Sequence, residues 1–152
     1  MPQHKAVYYP EKQDTILDQI DYDIMRDDEM AQVNMDIKHL DFRDTLLYHM
    51  RQMNIKQSEL VILCEEVISD RTVQRMLTAD SSVRTKPNRE NVILICLALQ
   101  LPYPLSMNLI GKAGYSFLDG MTGQRLQKLL QYKLAPQNAQ RTIKAILKEK
   151  TS

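Results

Sequence analysis

The chain of 152 residues has little of what tight turns and disulfide frameworks require: four glycines, six prolines, two cysteines and no tryptophan. So few turn-forming residues argue against many short strands joined by hairpins, and they favour helices. The two cysteines, Cys64 and Cys96, lie in apolar stretches without CxxC spacing, so a disulfide framework is excluded. We interpret both as reduced, buried thiols, which favours a cytoplasmic protein.

Long apolar runs are also missing. The longest, Val92 to Leu99, has eight residues, whereas a helix that spans a membrane needs about 20. The residues from Met1 to Lys5 are followed by no apolar stretch, so we expect neither a signal peptide nor a membrane partner.

Charge is balanced in total but uneven along the chain. Twenty lysines and arginines face nineteen acidic residues, which gives a net charge of +1. Residues 1–44 hold eleven acids and five bases, a net charge of −6, so residues 45–152 carry +7. The net charge of the whole chain therefore gives no sign of a polyanionic partner, whereas the positive charge of residues 45–152 is compatible with one.

The N-terminal part is expected to be an acidic arm. Residues 1–13 lack periodicity and contain two prolines, which predicts a loose segment. After Asp14, the expected N-cap, Ile16, Ile20 and Ile24 recur every four residues among acidic side chains. This spacing predicts an amphipathic helix that needs a partner surface.

The rest of the chain shows helical periodicity with start and stop signals between the segments. The length is close to that of one compact domain of about 150 residues. The predicted fold class is therefore all-α. The expected helices cover 40–54, 56–65, 69–78, 88–101 after the N-cap Asn88, 102 to about 113, the region of Leu126 to Leu134, and a last segment from Pro136.

Two of these segments, 56–65 and 69–78, have the length and polarity of a helix-turn-helix. The second helix of that motif buries one face and points the other into the major groove of DNA. Val73 and Leu77, four residues apart, would face inward, and Ser69 is the expected N-cap. The outward positions would be Arg71, Gln74 and Arg75.

Four short motifs between residues 55 and 101 share the pattern of a known group of regulators. They are Ile55-x-Gln57-x-Glu59-Leu60, Ile68-Ser69-x-x-Thr72-Val73-x-Arg75, Lys86-Pro87-Asn88-x-Glu90-Asn91-Val92 and Ile95-x-Leu97-Ala98-Leu99-x-Leu101. In these residues the chain resembles the Cro and phage-repressor (Xre-like) family, over about residues 40–115. The chain departs from the family at Val61, where a small residue is usual. It also departs in the turn Glu65-Glu66-Val67, which lacks glycine and is about two residues longer.

The resemblance implies a five-helix DNA-binding domain and a set of contact residues. Gln57 would reach a phosphate or a base from the start of its helix, and Ser69 would offer a hydroxyl or leave nearby amides for a phosphate. The recognition face would comprise Asp70, Arg71, Thr72, Gln74 and Arg75. The flanking DNA backbone would meet Arg84, Lys86 and Arg89.

Each of these features has a plainer interpretation. Arg71 and Arg75 could form an ordinary solvated helix face, and Asp70 repels phosphate although a carboxylate can accept a hydrogen bond from cytosine N4. The three histidines have no metal-ligand spacing, and the acidic run 27–29 is typical of solvated surface. We therefore expect no metal, no cofactor and no enzymatic activity.

The sequence thus predicts three parts: an acidic arm (1–39), a helix-turn-helix domain (40–118) and a two-helix extension (119–152). The expected function is sequence-specific transcriptional regulation, with repression the favoured mode. A homodimer would bind a pseudo-palindromic operator of double-stranded DNA, with 121–150 as the candidate dimer interface. The alternative is a protein-interaction adaptor, antitoxin-like or antirepressor-like, that keeps the fold without reading DNA.

Overall fold

A computed structural model describes residues 4–150 of the chain. Within that range it contains nine α-helices and no strand, which confirms the predicted all-α class. The helices are α1 (Lys5–Tyr8), α2 (Ile16–Ile37), α3 (Phe42–Gln52), α4 (Gln57–Leu63), α5 (Asp70–Leu77), α6 (Arg89–Leu99), α7 (Tyr103–Lys112), α8 (Gly120–Leu129) and α9 (Pro136–Lys150).

The chain divides into two compact units, an N-terminal unit (Met1–Ile55) and a C-terminal unit (Lys56–Ser152). The division falls inside the expected helix-turn-helix domain 40–118, between its first and second helices. The predicted three-part organisation stays a prediction.

Part of the segment 1–13, which was expected to be loose, is helical; residues 1–3 of that segment lie outside the described residues. Residues 5–8 form the short helix α1, in which Val7 is fully buried and Tyr8 is only 4% exposed. The Ala6 N–H donates to Glu29 Oε2 (3.0 Å), and the Tyr22 hydroxyl donates to the Ala6 carbonyl (3.0 Å). For residues 5–8 the expectation was wrong, because the contacts that hold them come from α2 and cannot be seen in the sequence of the segment itself.

Helix α2 is continuous over 22 residues and begins one residue later than expected. Its N-cap is Thr15, whose side chain accepts from the Asp18 N–H at 3.0 Å. Val33 and Ile37 are fully buried. The predicted stripe of Ile16, Ile20 and Ile24 is exposed.

The C-terminal unit is built around α6. Asn88 caps this helix as predicted, with its side chain accepting from the Asn91 N–H (2.7 Å), and Gln100 ends it in a left-handed conformation (φ 52°). Helix α6 packs against α4, α7 and α9, and α8 packs against α9. The buried residues of α6 are Val92, Ile93, Leu94, Ile95, Cys96, Leu97 and Leu99.

The apolar stripes of the last two helices belong to this same core. Leu126 and Ala139 are fully buried, and Ile143 is 2% exposed, because α9 packs on both α6 and α8. Leu134, Ile146 and Leu147 of the same stripes are only half-buried. The dimer interface at 121–150 stays a prediction.

Both cysteines are buried and form no disulfide, in agreement with the prediction. Burial raises the pKa of the Cys64 thiol to about 11 and that of the Cys96 thiol to about 12. Among residues 4–150, none of the helices combines the length and apolar character needed to cross a membrane.

Candidate nucleic-acid interface

Helices α4 and α5 pack against each other at the predicted positions. Leu60 of α4 is fully buried, as is Val73 of α5, and Met76 and Leu77 follow on the same buried face. The Lys56 N–H donates to Glu59 Oε1 (3.2 Å), which satisfies one open amide at the start of α4. Gln57, the first residue of α4, is half-buried.

The connection between these helices turns through two left-handed residues, Glu65 (φ 51°) and Glu66 (φ 65°). Residues with a Cβ rarely adopt this conformation, so the turn is held by its surroundings. The Gln137 N–H donates to Glu65 Oε1 (3.2 Å), and Gln137 Nε2 donates to the Glu65 carbonyl (3.3 Å). The turn thus anchors the N-terminus of α9, where a carboxylate is favoured by the helix dipole.

Sequence reasoning missed this anchoring role. The available signal was a pair of glutamates where the resembling family has glycine. Nothing in the sequence could identify Gln137 as the partner, since 72 residues separate it from Glu65.

The outer face of α5 carries the side chains that the sequence placed there. Arg71, Gln74 and Arg75 are exposed, and so is Asp70. Because three of these four groups donate hydrogen bonds, the face suits a partner rich in acceptors, such as the edge of guanine or a phosphate.

Ser69 and Thr72 are engaged with each other at the start of α5. Ser69 Oγ accepts from the Thr72 N–H (3.1 Å) and forms a second hydrogen bond with Thr72 Oγ1 (2.9 Å). The predicted N-cap is confirmed. A base contact by either hydroxyl would compete with this cap.

The loop 79–87 is attached to the C-terminal end of α5. The Thr85 N–H donates to the Arg75 carbonyl at 3.1 Å. Arg84 Nε donates to the Thr78 carbonyl (3.1 Å), and its Nη2 donates to the Ala79 carbonyl (3.3 Å). Arg84 is therefore primarily a brace for the loop, and the loop lies beside the last turn of α5.

Lys86 is exposed, and its position is set by an aromatic ring. Its Nζ lies 4.9 Å from the centre of the Tyr115 ring, and the Tyr115 hydroxyl donates to the Pro87 carbonyl (2.8 Å). A cation–π contact of this kind restrains the side chain while leaving the ammonium accessible to a phosphate.

Arg89 has a different environment from the one that the resemblance implied. Its guanidinium binds Asp119 through two hydrogen bonds of 2.9 Å, and Nη1 also donates to the Ser116 carbonyl at 2.9 Å. The side chain is only 14% exposed, and the hydrogen bonds to Asp119 raise the pKa of Arg89. We therefore assign Arg89 to the stability of the C-terminal unit and leave it out of the interface.

The positive charge of the C-terminal unit is not concentrated at α4 and α5. Residues 56–99 contain six bases and six acids, whereas residues 100–152 contain eight bases and two acids. The outer face of α5 is thus locally basic within a region of zero net charge.

In the described part of the chain, no three or more histidine, cysteine or acidic side chains come together in a group that could hold a metal ion. Comparison with models of protein families, with curated proteins and with solved structures found no match for this chain. The resemblance to the Cro and phage-repressor family rests on the quoted residues alone.

Proposed function

We propose that this protein is a sequence-specific DNA-binding regulator that reads DNA with α5. One observation carries the proposal: α5 buries Val73, Met76 and Leu77 while it exposes Arg71, Gln74 and Arg75. Recognition of the major groove needs a short helix that packs against a preceding helix, buries an apolar face and exposes hydrogen-bond donors. Helix α5 has these features.

Within this proposal the residues divide by role. Arg71, Gln74 and Arg75 contact base edges and carry the specificity. Gln57 and Lys86 contact phosphates on either side and supply affinity that depends on salt. Arg84 contributes mainly by holding the loop beside α5, as its two carbonyl contacts support.

One such module reads only a few base pairs, so we propose a homodimer on a pseudo-palindromic operator. Two-fold symmetry would place the two α5 helices about 34 Å apart, one turn of the double helix. The favoured outcome of binding is repression, because an occupied operator blocks access to the promoter.

A second candidate function is that of a protein-interaction adaptor, and one feature of α4 favours it. Ile62 is 73% exposed and Leu63 is 38% exposed on a helix next to α5. Exposed aliphatic side chains suit a protein partner better than phosphates. The zero net charge of residues 56–99 points the same way.

Selection of bound sequences from a random DNA pool tests the proposal. The wild-type protein should enrich one pseudo-palindromic sequence, and the double variant Arg71→Ala/Arg75→Ala should lose that preference, because a lost base contact costs about 1–3 kcal/mol. Both residues are exposed, so the free energy of unfolding should change by only about 0.5 kcal/mol.

The matched control is Lys38→Ala/Arg51→Ala, which removes the same charge from two exposed positions of the N-terminal unit. This variant should enrich the same sequence as the wild type. If the wild type enriches nothing, the DNA-binding proposal fails and the adaptor function takes its place. If the α5 variant still selects the same sequence, the protein reads DNA through an element other than α5.

A further inference from the structure

Helix α2 has an exposed apolar face at its N-terminal end, which we define as Ile16, Leu17, Ile20 and Ile24. Their exposed fractions are 78%, 66%, 49% and 58%. Leu17, Ile20 and Ile24 point away from the side of α2 that buries Val33 and Ile37. A cluster of exposed apolar residues marks an interaction site more often than a single exposed leucine does.

The acidic residues of α2 surround this face. Residues 16–37 contain seven acids and one arginine, a net charge of −6. Asp21, Asp27 and Asp28 are exposed. A partner surface must therefore combine an apolar floor with positive charge.

The C-terminal unit offers such a surface between α8 and α9. We define the α8–α9 groove by Met121, Arg125, Lys128, Leu129, Tyr132 and Ile146, which line it. Leu129 forms a buried floor, and Met121 and Tyr132 are each 61% exposed. The positions 121, 125, 128, 129 and 132 follow the spacing of one helical face.

The charge of the groove is opposite to that of α2. Residues 120–149 hold six bases and one acid, a net charge of +5. The acid, Glu149, forms an ion pair with Arg125, while Lys128 lies on the groove wall. Opposite fields of this size steer two surfaces together and fix their orientation.

The two surfaces also match in length. Ile16 and Ile24 are eight residues apart on α2, as Met121 and Leu129 are on α8, and this interval is about 12 Å along a helix. Met121 and Tyr132 in the groove are exposed, as are the residues of the α2 face. We propose that the apolar face of α2 docks in the α8–α9 groove of a second copy of this chain.

We expect the contact to be reciprocal. Each copy offers one α2 and one groove, so a two-fold symmetric dimer would contain two identical contacts. This interface does not use α5, and it is independent of whether the protein binds DNA.

A complementation experiment tests the contact. One variant, Ile20→Glu/Ile24→Glu, destroys the α2 face and keeps the groove. The other variant, Met121→Glu/Tyr132→Glu, destroys the groove and keeps the α2 face. Analytical ultracentrifugation should show a dimer for the wild type and at least about tenfold weaker self-association for each variant alone.

Mixing the two variants should restore association, because the intact α2 face of one meets the intact groove of the other. The matched control is Ile62→Glu/Val83→Glu, which adds the same charge at two positions that are 73% and 59% exposed outside both surfaces. It should dimerise like the wild type. Circular dichroism checks that all variants keep their helices.

Three results would overturn the proposal: a monomeric wild type at high micromolar concentration, a dimer that survives either double variant, or a mixture that stays monomeric. Salt gives an independent reading. Raising the ionic strength from about 0.1 M to about 1 M shortens the Debye length from about 10 Å to about 3 Å, so dimer affinity should fall severalfold. An affinity that does not change would show that the opposite charges play no part in the contact.

Discussion

The two units of the chain are stabilised in different ways. The C-terminal unit has an apolar helix at its centre, with seven buried residues in α6 and others contributed by α4, α7, α8 and α9. The N-terminal unit has fewer buried aliphatic residues and joins its helices through tyrosine hydroxyls. Tyr8 bonds to His49 Nδ1 (2.6 Å), Tyr22 donates to the Ala6 carbonyl, and Tyr48 donates to Asp36 (2.8 Å).

The difference shows how the sequence distributes its apolar residues. In the C-terminal unit they meet one another, and the unit closes its own core. In the N-terminal unit the three isoleucines of α2 are exposed and do not contribute to the core. Hydrogen bonds therefore supply a larger part of the stability of its helix packing. A unit of this kind is the one expected to gain from a partner.

The largest effect should come from the centre of the C-terminal unit. Ile95 is fully buried in α6, so Ile95→Ala should lower the free energy of unfolding by about 2–5 kcal/mol. Urea denaturation measures the change, and hydrogen exchange should show that protection is lost in α6, α7 and α9. The control Ile62→Ala, at a 73% exposed position, should cost about 0.5 kcal/mol or less. Equal losses for the two would contradict the apolar core.

A smaller effect is expected at the ion pair of the same unit. Arg89→Ala removes two hydrogen bonds to Asp119 and one to the Ser116 carbonyl. Because both groups are partly exposed, we expect a loss of about 1–2 kcal/mol in the free energy of unfolding. Arg89→Lys should not restore it, since an ammonium cannot make the two-pronged contact. Full rescue by lysine would show that charge alone matters there.

The outcome at Arg89 illustrates how far the sequence alone could lead. Periodicity and capping signals located α3 to α7 and α9 closely, including the N-caps Ser69 and Asn88 and the buried face of α5. The prediction for α8 was wrong at its end: the helix stops at Leu129, so Leu134 lies beyond it. These features depend on neighbours within a few residues. The partners of Arg89 and Glu65 lie 30 and 72 residues away, so a local pattern could not assign either residue to its structural role.

In the N-terminal part of the chain the sequence pattern failed to predict a short helix. The segment before α2 has no periodicity, yet Val7 is fully buried. One turn of helix is too short to leave a pattern, and its stability comes from contacts with Tyr22 and Glu29. The arginines of α5 are exposed as predicted, while their contact with DNA stays a prediction.

In the N-terminal unit a single hydroxyl should matter. Tyr8→Phe keeps the buried ring and removes its hydrogen bond to His49, so the free energy of unfolding should fall by about 1 kcal/mol. Tyr132→Phe, at a 61% exposed position, serves as the control and should change nothing measurable in the monomeric state. If Tyr8→Phe is neutral, the hydroxyl is not needed to join α1 to α3.

The smallest expected effect is a pH dependence of the free energy of unfolding that comes from the C-terminal unit. Burial raises the pKa of Cys64 to about 11 and that of Cys96 to about 12, so the native state keeps both thiol protons. The unfolded chain releases them at about pH 8.5. The unfolded state therefore binds fewer protons above that pH, and stability falls as pH rises. Between about pH 7.5 and pH 9 the loss should be about 0.5–0.8 kcal/mol for each thiol.

Burial also raises the pKa of Tyr8 in the N-terminal unit, but an unfolded tyrosine ionises only at about pH 10, so that unit should change little over this interval. Urea denaturation under reducing conditions at the two pH values measures the slope, and the variant Cys64→Ala/Cys96→Ala should abolish it whatever its own stability. A slope that persists in this double variant would assign the alkaline sensitivity to groups other than the two buried thiols.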